Sequence, residues 1–146
     1  KMSAGIRIEN IQVGKHAKDW KEAIEVAARP LVEGGSIDEQ YVHNMIESVE
    51  NLGPYIVIMP YFALAHAAPC EHVKKSDISI ATFQEDLLFH CDHDPVRIVM
   101  CLACVDKTSH INKLQSIAET LMDQDIVEKI MACKNEEELY SLFQDK

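Results

Sequence analysis

The stretch Val96–Val105, VRIVMCLACV, constrains the fold more than any other part of the chain. Only Arg97 interrupts its apolar run. A strand with one wet face alternates apolar and polar residues; this one does not, so it reads as a strand buried on both faces. Such a strand needs a cover on each side. Asp106-Lys107-Thr108-Ser109 follows as a turn and helix cap, and Ile111, Leu114, Ile117, Ala118 and Leu121 then keep helical spacing.

The remaining segments fit the same plan. Ile6, Ile8, Ile11 and Val13 predict a first strand. Asp19-Trp20-Lys21-Glu22 is a capping-box start, and Trp20, Ala23, Ile24, Ala27, Ala28 and Leu31 continue it as a helix. Pro30 is expected to kink or end that helix, and Gly34-Gly35 to close it. A second helix starts near Asp38, with Tyr41, Val42, Met45, Ile46, Val49 and Leu52 as its apolar stripe and Gly53-Pro54 as its stop. Tyr55 to Met59 predicts a short strand, and residues 60–76 a loop holding His66, Pro69, Cys70 and His72. Two strands, 78–83 and 87–90, are predicted around a turn at 84–86. Ile126, Val127, Ile130 and Met131 predict a further helix, and Asn135 with Glu138 caps a last one bearing Leu139, Leu142 and Phe143. The order points to a three-layer α/β/α sandwich. No repeat or linker divides residues 1–146, so a single domain is expected.

Charge narrows the function. With 24 acidic and 14 basic residues the net charge is -10. Nucleic-acid binding needs a basic face, and anionic membranes repel such a chain. Cys70, Cys91, Cys101, Cys104 and Cys133 are an odd count at irregular spacing, unlike a secreted disulfide framework. No signal-peptide pattern or bilayer-length apolar run is evident, so a reducing cytoplasm is the expected setting.

Glycine-rich phosphate loops and a serine elbow are missing from the sequence. Cys101 and Cys104 have redox or zinc spacing, but residues three apart on a strand point to opposite faces, so they read as small buried hydrophobes. His66, Cys70 and His72, with the turn His90-Cys91-Asp92-His93, offer metal-type ligands. A solvated polar turn is the simpler reading of the latter group. His66 and His110 each follow a strand candidate, so both can reach one edge of the sheet, where α/β proteins gather ligands. His110 also sits in the first turn of a helix, whose N–H groups favour an anion such as phosphate. A neutral imidazole is a competent nucleophile near pH 7 and can take up a phosphoryl group. This chemistry needs neither cofactor nor metal when the phosphoryl group arrives from another phosphoprotein.

The chain resembles a known family. The segments DWKEAIEVAARPLVEGGSIDEQYVHNMIESVENLGPYIVIMP, ALAHAAP, VKKSDISIATF and DPVRIVMCLACVDKTSHINKLQSIAETL are similar to the EIIA component of the bacterial phosphoenolpyruvate-dependent sugar phosphotransferase system. They lie within its fructose/mannitol superfamily and look like the ascorbate type. The resemblance implies a mixed sheet between helical layers. It implies His66 as the phosphorylated histidine and His110 as its active-site partner. It also implies a phosphoryl group received from HPr and handed to a cognate EIIB, which serves the membrane permease EIIC. Ascorbate or a related sugar acid is the implied substrate of the system. Ala65 stands where the family usually has proline, and Ala68 where it often has arginine. Two other readings accompany this one: a regulatory module of the same fold switched by histidine phosphorylation, and a metal-binding protein using His66, Cys70, His72 and the His90–His93 turn. An exposed apolar patch near His66 is expected for partner docking.

Overall fold

The computed structural model describes residues 5–144. A 3-10 turn at Ile8–Asn10 leads into β1 (Ile11–Lys15), followed by α1 (Trp20–Glu33), α2 (Glu39–Leu52), β2 (Val57–Met59), β3 (Tyr61–His66), β4 (Asp77–Leu87), β5 (Val96–Ala103), α3 (Lys107–Leu121), α4 (Ile126–Ala132) and α5 (Glu136–Leu142). The strands form one mixed sheet in the order β1-β4-β5-β3-β2. β1 runs parallel to β4 and β3 parallel to β5, while β4–β5 and β2–β3 are antiparallel.

The sheet is covered on both faces, as the composition of β5 demands. Val99, Cys101 and Ala103 face α1 and α2, packing with Ile24, Leu31 and Met45. Ile98, Met100 and Leu102 face the other layer, with Ile117, Ile130 and Leu139. Cys101 and Cys104 fall in these two separate cores, on opposite faces of the sheet. Burial pushes the Cys101 thiol up to about 12, far from thiolate chemistry at neutral pH.

Local capping sets the helix starts. The side chains of Asp19, Asp38, Asp106 and Asn135 accept backbone N–H bonds at the heads of α1, α2, α3 and α5, each worth about 1 kcal/mol. Four expectations from the sequence shift. The first strand is confined to Ile11–Lys15, because residues 8–10 wind into the 3-10 turn. Pro30 lies inside α1, which continues to Glu33 before Gly34. Residues 84–86 are no turn: β4 is one strand through Leu87, and only its pairing with β5 is irregular there. Polar residues lie in that span because it is tied to the β1 side by Gln84, which donates to the Gly14 carbonyl, and by His16 beside Glu85.

The fourth shift matters most. Residues 61–66, expected as loop, form β3, an interior strand between β5 and β2. Pro60 and Tyr61 reverse the chain between β2 and β3, with Tyr61 at φ 74°, the order of residues a type II turn needs. The rest of β3 is short and alanine-rich, and buried on both faces, so it carries neither alternation nor strong strand propensity.

Candidate active site

The parallel pairing of β3 and β5 brings both candidate histidines to one edge. His66, the last residue of β3, sits opposite Leu102 near the end of β5. The chain leaves β5 at Ala103 and enters α3 three residues beyond Cys104, placing His110 in the first turn. Along β3, Phe62 and Leu64 face the α3 layer, and Ala63 and Ala65 face α1 and α2. His66 shares the parity of Phe62 and Leu64. Its ring therefore meets His110, with centroids 5.7 Å apart and planes at 53°. Tyr55 also packs edge-on against the His66 ring, with centroids 6.0 Å apart.

The tautomer of His66 follows from its partner. Nδ1 lies 2.9 Å from the Leu64 carbonyl oxygen. A carbonyl only accepts, so Nδ1 carries the proton and Nε2 keeps its lone pair. The half-buried ring is thus held with Nε2 as its unprotonated nitrogen, the form an imidazole nucleophile requires. His110 differs. Its Nδ1 is buried with no hydrogen-bond partner. Burial, and then the neighbouring His66, hold its pKa below the ordinary histidine value, so at pH 7 it is neutral.

Neighbouring elements fix both residues. The Ser76 hydroxyl accepts from the Val105 amide and bonds the Ser109 hydroxyl, tying the β5–α3 connection to the segment before β4. Asp106 accepts from the Ser109 amide. That first-turn donor is therefore occupied, and the imidazole of His110 packs against His66. The chain after β3 is held to α2: the Asp38 carboxylate pairs with His72 at 2.8 Å and the Asp38 amide donates to the His72 carbonyl.

An open groove of about 540 Å³ runs from His66 between β2 and α3. Tyr55, Ile58, Met59, Leu114, Leu121 and Met122 line it, and among the described residues no lysine or arginine does. Ile58 and Met122 are exposed, the apolar patch expected for docking. Ala65 is fully buried and Ala68 lies exposed beside the site.

The metal-type residues do not assemble. His90 to His93 precede β5, at the end of the sheet opposite His66. Among the described residues no three His, Cys, Asp or Glu side chains gather closely enough to share an ion. Sequence reasoning missed the supporting residues. Tyr41, read as part of an apolar stripe, is buried yet bonds backbone next to His66. Ser76 had no motif around it; only tertiary contact shows its role.

Fold and site together define an α/β/α protein that presents a paired-histidine centre at a sheet edge, beside an apolar groove. The family described as "Phosphoenolpyruvate-dependent sugar phosphotransferase system, EIIA 2" matches residues 6–146. The "Ascorbate-specific PTS system EIIA component" of Escherichia coli is 32% identical over 136 residues, which span 92% of this chain and 88% of that protein. The solution structure of the mannitol-specific cryptic phosphotransferase enzyme IIA of Escherichia coli superposes with a TM-score of 0.86 at 28% identity, covering 94% of each chain. The complex of enzyme IIA mannitol with phosphorylated enzyme IIB mannitol, also from Escherichia coli, matches with a TM-score of 0.82 at 26% identity, covering 94% of this chain and 96% of that one. The chain belongs to the EIIA 2 family of the phosphoenolpyruvate-dependent sugar phosphotransferase system, and its work is phosphoryl transfer within that system.

Proposed function

We propose that this protein is a cytoplasmic, single-domain phosphocarrier in which His66 takes a phosphoryl group from HPr and passes it to a cognate EIIB, and through it to uptake by the membrane permease EIIC. The free Nε2 of His66 carries this reading. In the forward step Nε2 donates its lone pair to phosphorus as the bond from phosphorus to the donor protein breaks, and the donor atom keeps that electron pair. In the second step the Nε2–P bond breaks in the same way toward EIIB. Little covalent machinery is needed; positioning and charge stabilisation supply the rate. Nδ1–H stays on the Leu64 carbonyl throughout, so the ring neither rotates nor changes tautomer. His110 faces the arriving group and donates to its oxygens, in a site lined otherwise by apolar side chains.

The apolar groove beside His66 is the surface on which HPr and EIIB dock in turn, consistent with the related IIA mannitol that forms a complex with phosphorylated IIB mannitol. The ascorbate-specific relative favours a sugar acid as the substrate of the system. No helix among the described residues is long and apolar enough to cross a membrane.

The test is incubation with phosphoenolpyruvate, the general phosphotransferase enzyme I and HPr, followed by intact mass and site mapping. One acid-labile phosphoryl group on His66 is expected. Its retention in a folded His66→Ala variant would place the carrier elsewhere.

A further inference from the structure

We propose that Tyr41 is the positioning residue of the phosphoryl-accepting histidine: its buried hydroxyl clamps the residue after His66 to the residue opposite it. This rests on the phosphocarrier reading of His66.

Tyr41 projects from the first turns of α2 and is completely buried. Its Oη accepts from the Ala67 amide at 3.0 Å. It also lies 3.0 Å from the Leu102 carbonyl oxygen and 3.1 Å from that of Ala67. The phenol has one proton, which goes to one of these carbonyls at a time. Burial pushes its pKa well above the ordinary tyrosine value, so the proton stays on.

The placement explains why a phenol is needed here. β3 ends at His66, so Ala67 has left the β3–β5 ladder. Its amide would be a donor without a sheet partner at the edge of the core, and Tyr41 supplies the acceptor. Leu102 is the register partner of His66. One oxygen therefore joins the residue following the histidine to the residue across from it. Ala65, Ala67 and Ala68 have no side chain long enough to restrain this segment themselves. On the other side, Nδ1 of His66 is held by Leu64. The imidazole is thus held from Leu64, two residues before it, and from Ala67, the residue after it, and this keeps its ring against His110. The phenol reaches the histidine only through Ala67 and Leu102, so it acts on the direction of attack and not on the phosphorus itself.

The experiment compares wild type, Tyr41→Phe and Met45→Ala. Met45 is buried one helical turn along the same face of α2, and none of its contacts is a hydrogen bond to the histidine turn. Tyr41→Phe is expected to lower the rate of phosphoryl uptake from phosphorylated HPr by roughly 10–100-fold while leaving KM within about 2-fold, the mark of lost alignment. Met45→Ala is expected to destabilise the fold and leave that rate near wild type. Nitrogen-15 spectra should show His66 protonated at Nδ1 in wild type and a tautomer mixture in Tyr41→Phe. An equal rate loss in Met45→Ala, or an unchanged His66 spectrum in Tyr41→Phe, overturns the proposal. If Tyr41→Phe does not fold, hydrogen exchange of wild type decides: an Ala67 amide protected like those within β3 supports the clamp, and one exchanging like an open loop overturns it. If wild type is not phosphorylated at His66, the carrier reading fails by itself, and the His66 spectrum still judges Tyr41.

Discussion

Two histidine-bearing segments sit at opposite ends of the sheet, and they differ in what holds them. At one end the turn His90-Cys91-Asp92-His93 winds around Asp94, whose carboxylate accepts from the amides of Phe89, His90 and Cys91 at 2.9, 2.7 and 3.1 Å. His90 takes a positive φ of 67° there and is exposed. At the other end His66 is pinned through Nδ1, keeps Nε2 open, and faces a second imidazole. The first segment has more metal-type residues per length, and its order comes from a carboxylate gripping backbone. The second has one imidazole among alanines, and its order leaves Nε2 without a partner among the described residues. In the proposed reading of His66, the atoms the fold leaves unpaired point to the chemistry more directly than the density of reactive side chains does.

Substitutions at the two ends should separate sharply. His66→Ala is expected to lower phosphoryl acceptance by at least about 10³-fold, because it removes the proposed covalent acceptor, with its melting temperature near wild type. His90→Ala and His93→Ala should leave acceptance unchanged in the same HPr-coupled assay. A comparable loss in either would erase the distinction. His110→Ala should slow transfer by roughly 10²-fold with KM for HPr little changed, the usual size for one lost donor to developing charge; rapid-quench kinetics would measure it.

The Asp94 end should instead fail in stability. Asp94→Ala leaves three amides without their acceptor and is expected to lower stability by about 1–3 kcal/mol, read by urea unfolding, with phosphoryl transfer intact. The sign of its pH dependence follows from the carboxyl. Burial pushes the Asp94 pKa up, but the amides of Phe89, Cys91 and His90 outweigh it and hold the folded value below the ordinary one. Its contribution is therefore full above the unfolded pKa of about 3.9 and is lost as pH falls through the lower folded value.

The smallest effect sharpens the other end. The folded pKa of His110 is lowered by burial first and by His66 second. Stability linked to it is complete above the unfolded value of about 6.5 and declines as pH falls from there through the folded value. An NMR titration should place its midpoint below that of a free histidine. In His66→Ala the midpoint should rise only partway, since burial remains; a full return would make His66 the main cause.

The helices were largely legible because their signals are local. Asp19, Asp38, Asp106 and Asn135 cap the helices they announce, each through a side chain reaching an amide two or three residues on. His66 and His110 were legible as candidates from their places after apolar runs. The strand under His66 was not, since YFALAH lies in the sheet interior and has no face pattern to read. The polar span Gln84-Glu85-Asp86 misled in the opposite sense, because partners on β1 and in the following turn, far away in sequence, keep it extended. Tyr41 matched the apolar stripe on which it lies, and nothing in the spacing distinguishes a phenol whose oxygen has backbone partners.

By itself the sequence determined where helices begin, that β5 is buried on both sides, and that His66 and His110 are candidates at the ends of apolar runs. These follow from interactions spanning a few residues or from bulk composition. Only the tertiary structure decided that β3 exists, that it runs parallel to β5, and that His66, His110 and Tyr41 converge. Strand pairing and side-chain convergence join residues far apart along the chain, and their free energy comes from contacts that form only once the sheet and both helical layers have closed.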